Sequence, residues 1–118
     1  MDKTITIAGK PVRFRKTGGT VLRYKRQFGR ELNQDLAKIA ALQGAMMNAD
    51  KKARAALALG IETEWMYDIA FIMAQQADPS VKDELTWLDS FEEFDPWAVF
   101  TELMVLISDE QEIAPKNA

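Results

Sequence analysis

Residues 16–32 read KTGGTVLRYKRQFGREL, and the way this run folds decides how the rest of the chain is arranged. Gly18 and Gly19 interrupt whatever precedes them, and Thr20 is placed to accept a hydrogen bond from the first free amides of a helix. Helical spacing follows. Tyr24, Phe28, Leu32 and Leu36 recur every four residues, with Val21 on the same side, so one face is apolar and needs a core. The opposite face is basic, with Arg23, Lys25, Arg26 and Arg30 close together and Glu31 the first acid after Asp2. Such a helix packs by one side and meets something acidic by the other.

Upstream, residues 4–16 alternate. Ile5 and Ile7 interleave with Thr4 and Thr6, and Val12 and Phe14 with Arg13 and Arg15; Ala8-Gly9-Lys10-Pro11 lies between as a turn. The pattern predicts a β-hairpin. Two strands alone are marginal in water, so its apolar face must lie on a helix or its edge must pair with a strand of another chain.

Downstream, helical spacing continues over 33–47 through Leu36, Ile39, Ala40 and Leu42 or Met46, divided or kinked at Gly29 and Asn33. Residues 43–60 are rich in alanine, with little to anchor them, and are expected to be the mobile or variable segment. Thr63 is placed to cap a helix to about Gln76 that buries Trp65, Ile69, Ile72 and Met73, and Asp78-Pro79 stops it. A short helix is expected over 82–91 with Leu85, Trp87 and Leu88. Asp95-Pro96 then starts a last helix, to about Ile107, that offers Trp97, Phe100, Leu103, Met104 and Ile107. The predicted fold is mainly α: an N-terminal β-hairpin packed on a small bundle of about four to five helices. It forms one domain over 1–107 with a flexible charged tail over 108–118.

Composition narrows the chemistry. The chain of 118 residues has no cysteine and no histidine, so thiol chemistry, zinc–thiolate sites, serine triads and histidine-ligated metals are excluded. Its carboxylates are scattered at helix starts and exposed spacings. An enzyme is therefore not expected, and no catalytic residue, cofactor or metal site is assigned. No apolar run approaches the roughly 20 residues of a membrane span, and the start MDKTIT lacks a signal peptide's apolar centre, so a cytoplasmic protein is expected.

The net charge of −3 conceals a division. From Lys3 to Arg30 there are nine bases (Lys3, Lys10, Arg13, Arg15, Lys16, Arg23, Lys25, Arg26 and Arg30) and no acid. From Glu62 to Glu112 there are fourteen acids and one base, Lys82. Either the halves fold against each other and neutralise locally, or copies associate head to tail, basic end to acidic end. The tryptophans and phenylalanines of the second half are ordinary core residues unless Trp97 or Phe91 stays exposed beside Glu92, Glu93 and Asp95. In that case they form an aromatic and acidic docking patch.

Taken in order, the hairpin, KTGGTVLRYKRQFGREL, YDIAFIMAQQAD and TWLDSFEEFD resemble the tail assembly chaperones of Gram-positive siphophages and prophages. That family carries a Thr-rich turn, a Tyr-(Arg/Lys)-x-x-Phe-Gly-Arg-(Asp/Glu) helix and a later Trp-Leu-x-x-Phe element. The match falls on Thr20, Arg23, Tyr24, Phe28, Gly29, Arg30 and Glu31, then on Tyr67, Ala70, Trp87, Leu88 and Phe91. Val21 stands where members often have proline, and Glu31 where they often have aspartate. The resemblance implies a protein of the host cytoplasm that binds the long, mostly helical tape measure protein. It would keep that client soluble, help recruit tail tube protein, and be absent from the finished virion; a longer form made by ribosomal frameshifting is common in the family.

Arg23, Tyr24, Arg26, Phe28, Arg30, Trp87, Phe91 and Trp97 are the candidate partner-binding residues, facing the client or a neighbouring copy. Tyr24 and Phe28 share a stripe with Leu32 and Leu36, which favours the core reading for both. The alternative function is a small nucleic-acid-binding module using the basic hairpin and helix, against which stand fourteen acids and a pI near 5.0.

Overall fold

The computed structural model describes residues 1–59 and 62–116, with the backbone alone at 42, 43, 46 and 108–116. β1 (Asp2–Ile7) and β2 (Lys10–Arg15) pair antiparallel, with Ile5 opposite Val12 and Ile7 opposite Lys10. The turn is two residues long where four were expected. Ala8 and Gly9 both take positive φ, 49° and 80°, because a two-residue connection must follow the right-handed twist of its strands. Lys10 and Pro11 belong to β2. Beyond the strands, the Met1 ammonium donates to the Lys16 carbonyl at 2.9 Å and the Lys16 amide to the Met1 carbonyl at 2.8 Å.

Six helices follow among the described residues: α1 (Thr20–Phe28), α2 (Leu32–Met47), α3 (Lys51–Leu59), α4 (Glu64–Ala77), α5 (Glu84–Asp89) and α6 (Pro96–Lys116). The expected division at Gly29 is a full break. Gly29 sits at φ 73°, ψ 16°, a left-handed conformation that glycine adopts at little cost, and its amide closes on the Lys25 carbonyl at 2.7 Å. Asp95 starts α6 as expected, its Oδ1 accepting from the amides of Trp97 at 3.0 Å and Ala98 at 3.3 Å. Thr63 occupies the N-cap of α4 without a side-chain capping bond, whereas Asp83 caps α5 by accepting from the Thr86 amide at 2.8 Å.

The centre of the molecule is α4. Its buried residues Trp65, Met66, Asp68, Ile69, Ala70, Phe71, Ile72, Met73 and Ala74 leave scarcely any side open, as in a helix enclosed by its neighbours. β2, α1, α5 and α6 all pack on it, and β1 lies on α6, so the hairpin's apolar face covers the helices as the alternation required. Trp87 anchors the hairpin to α4. Its ring lies edge-on to Phe14 at 6.3 Å and Phe91 at 5.4 Å, and reaches Phe71 at 6.2 Å and Phe94 at 5.6 Å.

α2 joins this core through its first half, while α3 has no buried residue. Leu32, Asp35 and Ile39 are buried, but Ala40, expected on the apolar stripe, is exposed, as are Ala41, Gly44, Ala45 and Met47; the side chains of Leu42 and Met46 lie outside the described residues. None of the residues of α3 is buried. A radius of gyration of 15.2 Å reflects the projecting helices, against about 13–14 Å for a compact chain of this length. The last helix was expected to end near 107, but its backbone continues to Lys116. Of the flexible tail expected over 108–118, the side chains and residues 117–118 lie outside the described residues. No described helix is long and apolar enough to cross a membrane.

Candidate functional site

The left-handed turn at Gly29 swings Arg30 back over α1. Its Nε donates to the Tyr24 hydroxyl at 3.3 Å, the guanidinium lies 5.8 Å from the Tyr24 ring centre, and a terminal nitrogen pairs with Asp68 of α4. Tyr24 in turn donates to Asp35 Oδ2 of α2 at 2.9 Å. Three helices are thus tied through Arg30, whose planar fork serves Tyr24 and Asp68 at once, and through the Tyr24 hydroxyl, which reaches Asp35. Burial, reinforced by the Asp35 carboxylate, pushes the Tyr24 hydroxyl above its ordinary pKa and keeps it a donor. Glu84 of α5 joins the same cluster. Desolvation first, then its hydrogen bond to Asp68 and the charges of Asp68 and Glu64, raise it to about 8, so it holds its proton at neutral pH.

A second polar clamp lies at the other end of α1. Thr20 was expected to cap the helix, but its hydroxyl accepts from the preceding Thr17 amide at 2.9 Å and donates to Gln76 Oε1 at 2.7 Å. Gln76 Nε2 then donates to Thr17 Oγ1 at 2.7 Å. The glycine turn is thereby fixed to the end of α4.

Between these clamps, α1 and α4 enclose a groove of about 570 Å³ lined by Gly19, Leu22, Arg23, Arg26, Gln27, Ile72 and Gln75. Arg23 and Gln75 also line an adjoining cavity of about 460 Å³ that reaches Arg15 and Pro79. Leu22 is 50% exposed here, an apolar side chain on the face that the charges mark as polar. Arg23 and Arg26 make no ion pair among the described residues. Other bases are taken up: Arg13 and Arg15 by Asp2, Lys25 by Glu31, and Lys10 by the Ser90 carbonyl at 2.7 Å.

The eight residues chosen from sequence do not form one surface. Arg23 and Arg26 are exposed on the groove, and Arg30 is half-buried in the clamp. Tyr24, Trp87 and Phe91 are corrected to interior residues, because the stripe and the aromatic cluster are covered by α4 and the hairpin. Phe28 is half-buried with its ring 5.7 Å from Tyr24. Trp97 stays 37% exposed beside exposed Glu92, Glu93 and Asp95, so the aromatic and acidic patch exists through Trp97 and not Phe91. Sequence reading missed Leu22, although an apolar residue flanked by Arg23 and Arg26 was a visible signal. It also missed Asp35 and Asp68, which no local pattern marks as buried, and the half-buried Glu84.

No family model, curated protein or solved structure matches the chain.

Proposed function

We propose that the protein is a tail assembly chaperone. It binds a tape measure protein, keeps that elongated helical client soluble in the host cytoplasm, helps recruit tail tube subunits, and is left out of the finished virion. The supporting observation is the α2–α3 pair. These helices project apolar side chains off the core, with Met47 80% and Leu59 89% exposed and no α3 residue buried. Isolated helices of this length are marginal in water, and exposed apolar faces on them suit capture of another apolar helix. Many weak contacts of this kind along one long client give strong holding by multivalency while each remains releasable.

The reading of a nucleic-acid module relied on the basic hairpin and α1. Internal pairing of Arg13, Arg15, Lys25 and Arg30 reduces the positive charge left for phosphates, and the acidic half remains to repel them. Co-expression with a tape measure protein tests the chaperone role. The client is expected to move into the soluble fraction with this chain, and to lose that benefit with Met47→Asp and Leu59→Asp together. A client equally insoluble with and without the chain would overturn the role.

A further inference from the structure

Among the described residues, the Arg30–Asp68 pair joins the basic segment to the acidic one, while the other ion pairs stay inside the first 31 residues. Two surfaces of opposite sign are left. One is the α1–α4 groove, with Leu22 and Ile72 at its apolar floor and Arg23 and Arg26 at its rim. The other is the ridge at the start of α6, where Trp97 is partly exposed close in sequence to the exposed Glu92, Glu93 and Asp95; Glu93, Asp95 and Glu102 also line a pocket of about 300 Å³. The two surfaces have no residue in common.

We propose that these surfaces are the two halves of a head-to-tail interface between copies of this chain. The Arg23–Arg26 groove of one copy receives Trp97 and the Glu92–Glu93–Asp95 ridge of the next. Each half has what the other needs. An aromatic anchor entering an apolar floor, ringed by opposite charges, is the arrangement that concentrates binding energy at protein interfaces. Guanidinium groups over an indole face add a cation–π contribution. Complementary potentials also orient the approach and exclude the groove-to-groove and ridge-to-ridge pairings.

The geometry of growth follows from the two halves being different. Every copy added offers one unused groove and one unused ridge, so assembly proceeds to a ring or an open filament and does not stop at a two-fold dimer. This inference is independent of the chaperone reading: self-association can fail while client binding persists, and the reverse.

Sedimentation velocity at increasing protein concentration tests it. The full-length wild type is expected to form species beyond dimer at low salt and to dissociate as the screening length falls from about 10 Å at 0.1 M to about 3 Å at 1 M. Arg23→Glu with Arg26→Glu, or Glu92→Lys with Glu93→Lys, each weakens association by about a hundredfold, because like charges then face one another. An equimolar mixture of the two double variants restores growth in alternating order, since intact groove meets intact ridge and the reversed groove meets the reversed ridge. All four substitutions in one chain restore growth. Circular dichroism and the Trp fluorescence of each variant check that it is folded.

A wild type that stays monomeric to about 0.3 mM at low salt would overturn the proposal. So would association indifferent to Arg23→Glu with Arg26→Glu, or a wild-type dimer that never grows. Binding of the groove to an acidic peptide from another protein while the chain itself remains monomeric would reassign the surface and also overturn it.

Discussion

Arg30 and Asp68, 38 residues apart in sequence, form the ion pair that locks the turn after α1 onto the central helix α4. The Asp68 side chain is almost wholly buried while Arg30 keeps about a third of its surface in solvent, so removing the arginine strands a carboxylate in the interior. Arg30→Ala is expected to destabilise the fold by about 2–4 kcal/mol in urea titration, the lower part of that range reflecting partial solvation. Arg30→Lys recovers part of this, since an ammonium cannot span both Asp68 and the Tyr24 hydroxyl. A loss under about 0.5 kcal/mol for Arg30→Ala would mean that the pair holds nothing together.

The neighbouring Glu84 makes stability depend on pH. Its pKa rises from 4.5 to about 8 in the folded protein, so the folded state binds this proton more tightly than the unfolded state. The corresponding stabilisation is complete below about 4.5 and is lost as pH climbs towards 8. Glu84→Gln keeps a neutral donor beside Asp68. Thermal melts between those limits are expected to fall with pH in the wild type and to flatten in the variant, and parallel curves would show that Glu84 is not the titrating group.

Two tryptophans at similar helical spacing have opposite roles. Trp87 packs against Phe14, Phe71, Phe91 and Phe94, so Trp87→Ala is expected to cost about 3–5 kcal/mol. Trp97 is 37% exposed, and Trp97→Ala is expected to cost under about 1 kcal/mol while weakening self-association. Equal losses of stability would contradict the assigned burial.

That contrast marks how far the sequence could be read. Alternation over 4–16, the break at Gly29, Asp78-Pro79 and Asp95-Pro96 are local signals whose physics acts within a few residues, and each corresponds to an observed element or boundary. Which of Trp87 and Trp97 is inside depends on how α5 and α6 dock on α4, which spacing alone does not encode. Thr20 illustrates the same limit. A capping role was the local expectation, but its hydroxyl found Gln76, 56 residues away. Asp35, Asp68 and Glu84 looked like solvated acids until Arg30 and Tyr24 were brought to them.

The hairpin turn leaves room for improvement. Ala8 holds φ 49°, a left-handed conformation that costs an L-residue with a Cβ about 1–2 kcal/mol, whereas asparagine before glycine favours this turn. Ala8→Asn is expected to stabilise the protein by about 0.5–1 kcal/mol, read as a higher urea midpoint at unchanged slope. A lower midpoint would show that the turn is built differently.

Hydrogen–deuterium exchange of the chain alone and with a tape measure protein addresses the proposed chaperone role at the level of residues. If the projecting helices hold the client, amides of α2 beyond Ile39 and of α3 over Lys51–Leu59 exchange more slowly in the complex, while those of α4 are unchanged. Exchange in α2 and α3 that is the same with and without a bound client would contradict it.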